Sequence, residues 1–323
     1  MNKKIRKILI TVLPIALGVF LIWNFLSRLT PEDKKAILNS FKTANYWWVA
    51  LSLLLGMLSH LSRAYRWKFL LQPIGYKPRF ANAVMTILMA YLVNLGIPRA
   101  GELARATAIS KYEDVPFQKA LGTIIAERIA DVIMLSIIVG IAFVMQADLM
   151  EQYLFKDSAS GSVKSLLAIA FLLLIAFIGY RIILRAKHPF LIKIKDFVNG
   201  LIEGAVSIFK MKNKWRFIFH TVFIWVMYVL MFYVVSFALP ETTHLPFGAI
   251  VVGFVVGGIS MALTNGGLGS YPIFVASVLI MYHIEDNPAR AFGWIMWTAQ
   301  TLMILLFGGL SFLFLPIYNR RIA

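Results

Sequence analysis

The chain has no cysteine. That excludes disulfides, cysteine nucleophiles and thiolate metal sites, without fixing the compartment. Charge is scarce too, at 15% of residues, where a soluble protein carries roughly a quarter. No polar stretch exceeds about forty residues, which is short of a typical soluble domain. Negative charge is scarcer still: 15 acidic residues stand against 32 basic ones, for a net charge of +17. Such a balance invites a nucleic-acid reading. Here, however, the basic residues sit between apolar runs, so the positive-inside rule accounts for them and no nucleic acid is expected. The chain has no HExxH motif, and nothing in the sequence pairs a serine with a histidine. No metal, no cofactor and no catalytic residue is expected.

What is present is apolar: 60% of residues are hydrophobic and the mean hydropathy is +0.77. The expected fold is all-α, a polytopic transmembrane helical bundle forming a single integral membrane domain over residues 1–323. Lys3, Lys4, Arg6 and Lys7 precede the apolar run Ile8 to Leu26. No small-x-small cleavage site follows, so this reads as an uncleaved first span with its N-terminus inside. Thr30, Pro31, Glu32 and Asp33 start a short amphipathic helix on the outer surface, about 31–43. Trp47 and Trp48 mark an interface, and the second span runs to about Ser62, ending in Arg63 and Arg66. Those two share a helix face and read as positive-inside anchors or as a phosphate clamp. Further spans are expected from about Pro116 to Met145, Ser165 to Leu184, Arg216 to Leu239 and Ala291 to Ile317. Nine basic residues fall between Arg181 and Arg216. Apolar residues at helical spacing among them suggest a basic interfacial helix, about 188–210, on the cytoplasmic side. Both termini are expected in the cytoplasm, and the membrane is expected to be the bacterial inner one.

Two stretches break this pattern. Phe80 to Val93 is uncharged, and then come Asn94, Gly96, Pro98, Arg99, Gly101, Glu102 and Arg105. Charges at membrane depth face protein or water, and broken backbone there is buried or lines a cavity. The stretch therefore reads as the tip of a re-entrant hairpin, or else as an ordinary cytoplasmic loop. The second break is Thr264, Asn265, Gly266, Gly267, Leu268, Gly269, between the apolar arms Phe247 to Leu263 and Ile273 to Tyr282. Each arm is near or below the twenty residues that span a bilayer, which suggests a second re-entrant hairpin, entered from outside. Between the two breaks, Glu127, Arg128 and Asp131 interrupt an apolar helix. They complement Arg99, Glu102 and Arg105 in charge, or they satisfy one another as a local ion pair. Arginine forks suit phosphate oxygens, and glycines let backbone N–H groups approach an anion. The candidate substrate-binding residues are Asn94, Arg99, Glu102, Arg105, Glu127, Arg128, Asp131, Asn265, Gly266, Gly267 and Gly269.

PRAGELARA, a downstream ERIAD and a late NGGLG, in that order, resemble the membrane domain of lysylphosphatidylglycerol synthases and their stand-alone flippase-like relatives. The resemblance covers nearly the whole chain. By it, Pro98, Arg99, Gly101, Glu102 and Arg105 match the first motif. Glu127, Arg128 and Asp131 match the second, and Gly266, Gly267 and Gly269 the third. Family members often carry an arginine–glutamate pair after the glycines, where this chain has Ser270 and Tyr271. The chain ends at Ala323, without room for an aminoacyl-transferase domain, so it is not expected to make lysylphosphatidylglycerol.

The expected function is lipid translocation, with a phosphate-bearing headgroup bound in a charged intramembrane site. The alternatives are an intramembrane lipid-modifying enzyme using a carboxylate, and a non-catalytic lipid-binding accessory. The expected partners are anionic or phosphate-bearing membrane lipids, and the sequence allows a homo-oligomer.

Overall fold

The computed structural model describes residues 29–146, 211–264 and 266–320, together with Phe20, Trp23 and Ser27. The first expected span, the fifth, the basic helix about 188–210 and Asn265 lie outside the described residues. Among the described residues every regular element is helical. Backbone contacts divide the chain into two compact units. The first comprises Met1–Arg128 with Trp215–Ala323, and the second Ile129–Lys214.

Helix α1, Pro31–Thr43, opens on a reciprocal cap. Thr30 Oγ1 accepts from the Asp33 backbone N–H at 3.1 Å, and the Asp33 carboxylate accepts from the Thr30 backbone N–H at 3.1 Å. Asp33 also accepts from Asn287 Nδ2 at 3.1 Å, which ties α1 to the start of the last long helix. Helix α2, Tyr46–Leu71, is capped by the Asn45 side chain. Its 26 residues make it about 39 Å long. It does not stop near Ser62 but carries Arg63 and Arg66 onward inside the protein.

A helical hairpin follows, α3 (Phe80–Gly96) and α4 (Ala100–Glu113), joined by a three-residue turn at 97–99. At 17 and 14 residues the arms measure about 25 and 21 Å, less than a hydrocarbon core of about 30 Å. A polar knot closes its base. Arg79 Nε donates to Glu113 Oε1 at 2.8 Å and Arg79 Nη2 to Asn319 Oδ1 at 2.6 Å. Asn319 Nδ2 donates in turn to the buried Asn82 at 2.9 Å. Helix α5, Phe117–Met145, passes from the first unit into the second after Arg128.

Helix α6 is Lys214–Val235. A second pair, α7 (Phe247–Leu263) and α8 (Ser270–Met281), is joined by the glycine turn. Arm α8 has only 12 residues, about 18 Å. The last helix starts as α9, Asp286–Met303, passes through a π-turn at Ile304–Gly308 and ends as α10, Gly309–Arg320. Among the described residues three helices are long and apolar enough to cross a membrane: Phe117–Met145, Lys214–Val235 and Asp286–Arg320. In the first unit the apolar core has two main parts. One packs α6 to α9 around Phe232, Phe292, Val275 and Leu279. The other packs α2 to α5 around Trp67, Ile87, Ile109 and Ile124. The second part carries the polar site.

Candidate functional site

The site grows from Trp67, which has no solvent exposure. Its indole N–H is satisfied by Thr123 Oγ1 of α5 at 2.9 Å. The ring face is left open, and the Arg105 guanidinium of α4 stacks on it at 3.7 Å from the centroid. That cation–π contact places Arg105 Nη1 2.6 Å from Glu127 Oε2. Glu127 Oε1 lies 3.6 Å from Arg66 Nη2 of α2. Arg66 is fixed from behind by Thr221 Oγ1 at 3.0 Å and by the Phe217 ring, both on α6. One fully buried carboxylate thus holds two buried guanidiniums from two other helices. Charges this deep persist only when paired.

Beside this triad lies a small cavity lined by Arg63, Ile87, Ala90, Tyr91, Asn94, Glu102, Arg105 and Arg128. Its volume is about 10 Å³, room for about one water. Arg105 Nε and Nη2 are buried and have no hydrogen-bond partner among the described residues. Glu102 Oε1 stands 3.6 Å from Arg128 Nε, too long for a hydrogen bond, and Glu102 Oε2 is buried without a partner among the described residues. Tyr91, which lines the cavity, packs on the buried His60 with ring centroids 4.7 Å apart.

The hairpin tip explains how α4 is held. Arg99 takes a left-handed conformation, φ 61° and ψ 7°, and its side chain makes no capping bond. For a non-glycine residue that conformation costs about 1–2 kcal/mol. The cap comes instead from Asn94, whose Oδ1 accepts from Gly101 N–H at 2.7 Å. Gly101 has to be glycine here: a Cβ would collide with the Ala90 backbone oxygen and come within 2.7 Å of Asn94 Cγ. In the other hairpin Gly266, Gly267 and Gly269 all have positive φ, at 60°, 76° and 71°. The two tips meet, since a Cβ on Gly266 would come within 2.7 Å of Leu95 Cδ2.

The structure sorts the expected residues accordingly. Glu102, Arg105, Glu127 and Arg128 come together, and Asn94 reaches the same cavity while its side-chain oxygen serves as a cap. Arg99 is exposed and does not line the cavity. The glycine turn packs on the first hairpin and does not line the cavity either. Asp131 lies one turn beyond Glu127 on α5, in the second unit. Arg63 and Arg66 are buried, at 3% and 0% exposure, so they do not act as surface anchors. Their i, i+3 spacing was the sequence signal for this role. Nothing in the sequence marked Trp67, Tyr91 or Thr221. Nor did it show that Ser62 Oγ lies 2.8 Å from His220 Nδ1.

Apolar helices, short broken hairpins and buried ion pairs define a multi-pass integral membrane protein. The family described as the lysylphosphatidylglycerol synthase TM region matches residues 11–309, and the chain belongs to it. It is also similar to the UPF0104 membrane protein MJ1595 of Methanocaldococcus jannaschii, 33% identical over 87 residues. That match covers 26% of this chain and about a quarter of the relative's length. No solved structure matches the chain.

Proposed function

We propose that this protein binds a phosphate-bearing lipid headgroup at the arginine cavity and moves it between leaflets. The observation that carries this reading is the free edge of Arg105. Its Nε and Nη2 are buried without partners among the described residues, at a cavity that Arg63 and Arg128 also line. A guanidinium edge offers parallel N–H donors that fit two phosphate oxygens. Arms too short to span support a re-entrant reading of both hairpins, and on that reading the cavity lies at membrane depth. The cavity holds about one water, so a headgroup enters only when the hairpin tip or α5 shifts. On this reading the protein sits in a bacterial inner membrane with both termini in the cytoplasm, and its partners are anionic lipids.

The enzyme alternative has one geometric foothold, the Ser62–His220 contact. Among the described residues no carboxylate bonds that ring to orient it, and Tyr65, Phe69 and Phe219 surround it. The contact therefore supports packing better than nucleophilic catalysis. The deciding experiment measures leaflet exchange of fluorescent phosphatidylglycerol in proteoliposomes. Wild-type protein should accelerate exchange, and Arg105→Lys, which keeps the charge and loses the fork, should not. Exchange no faster than in empty liposomes would leave the binding-only accessory as the surviving reading.

A further inference from the structure

The two carboxylates of the arginine cluster are held in different ways. Glu127 is fully buried, within 2.6 Å of one guanidinium and 3.6 Å of another. Glu102 stands at the cavity wall with a quarter of its side chain exposed (26%), and its contact with Arg128 is 3.6 Å long. Its other oxygen is buried and bonds nothing among the described residues. One turn along the same helix, Arg105 keeps two N–H-bearing nitrogens in the same condition. An unsatisfied acceptor and unsatisfied donors thus line one cavity without bonding each other.

Resting on the anion-binding reading above, we propose that Glu102 is an exchangeable internal counter-ion. In the empty cavity it holds the place of a ligand's anionic group, and it competes with that group for the arginines. The tether makes the competition effective, because a carboxylate fixed on the wall acts at a high effective concentration. The looseness of its contact makes the competition reversible. Glu102 is also the third residue of α4, so its carboxylate has a second favourable resting place. The Ala100 and Gly101 N–H groups are already bonded to Ile97 and Asn94, but that first turn still presents the positive end of the macrodipole. On ligand entry Glu102 leaves Arg128 for that turn, and the phosphate takes over the guanidiniums. Glu127 does not exchange, since it is fully buried and its Oε2 is held by Arg105 at 2.6 Å, whereas Glu102 has no contact that short among the described residues. A wall carboxylate also sets selectivity: a doubly charged phosphate monoester displaces it more readily than a singly charged diester.

The test uses the full chain in detergent micelles, with affinities read by native mass spectrometry. The probes are dioleoylphosphatidylglycerol and dioleoylphosphatidic acid, with dioleoylphosphatidylcholine as baseline. Glu102→Gln should lower the Kd for phosphatidylglycerol about tenfold or more and narrow the gap between the two anionic lipids. Glu102→Asp should restore wild-type behaviour. Arg105→Lys should weaken both anionic lipids, and melting temperatures should show all three variants folded. Inorganic phosphate, titrated against the same variants, separates a headgroup from a free anion. A Glu102→Gln gain for lipid alone, or for inorganic phosphate as well, supports the exchange and identifies its source. If Arg105→Lys loses binding while Glu102→Gln binds no better than wild type, the anion site stands and the exchange is refuted. If Arg105→Lys also binds like wild type, the anion-binding reading itself falls.

Discussion

Replacing Glu127 by glutamine tests the physical basis of the site. The substitution keeps the shape and one carbonyl oxygen but removes the single carboxylate that Arg66 and Arg105 share. Neither guanidinium can turn to bulk water, because both lie at 2% exposure or less. Breaking a buried pair from one side typically costs about 3–5 kcal/mol, mostly the uncompensated charge left behind. That corresponds to roughly a hundredfold to a few thousandfold in the folding equilibrium. Titration with a denaturing detergent, followed by tryptophan fluorescence, reads it out. Asp286→Asn, which breaks the exposed Asp286–Arg290 pair, serves as the control and should cost only about 0.3–0.5 kcal/mol. A second comparison separates charge from packing. Replacing Arg66, Arg105 and Glu127 together by methionine, methionine and leucine should be less damaging than Glu127→Gln, since no charge is then stranded. The reasoning is refuted if Glu127→Gln unfolds within about 1 kcal/mol of wild type, or if a double-mutant cycle shows no coupling between Glu127 and Arg105.

Three further outcomes follow from the geometry. Asn94→Ala removes the cap on Gly101 and should cost about 1 kcal/mol, whereas Gly101→Ala should cost more because its Cβ meets backbone; both are read by the same unfolding titration. The Asp33 carboxyl is held below its ordinary value of 3.8 by hydrogen bonds from Thr30 and Asn287, so its contribution is complete above that value and is lost as pH falls through the lowered one. Hydrogen exchange in Pro31–Thr43 should rise at acid pH in wild type and lose that pH dependence in Asp33→Asn. A topology reporter fused after Asn287 should read outside and one after Lys212 inside, and an inside signal at Asn287 would turn the α7–α8 pair into two full spans.

The sequence by itself determined the solvent and the breaks. A low charge fraction and long apolar runs require lipid around the chain, since nothing else can cover that much apolar surface. Pro98 and the Gly266 to Gly269 run interrupt helices whatever surrounds them, because one lacks a backbone donor and the others adopt φ values that side chains resist. Charges buried in an apolar interior also had to find partners, because an unpaired charge there is unfavourable. Which partners they found was decided only by tertiary structure. Arg99 and Arg105 are equivalent in the motif, yet one is exposed at the tip and the other stacks on Trp67. Arg66 looks like an ordinary inside anchor until α6 supplies Thr221 and Phe217 and α5 supplies Glu127. Asn94 reads as a ligand-binding amide until Gly101, seven residues on, claims its oxygen. The reason is common to all three cases. Residue type fixes what a group must bond to, but only helix packing fixes which groups lie within about 3 Å of one another.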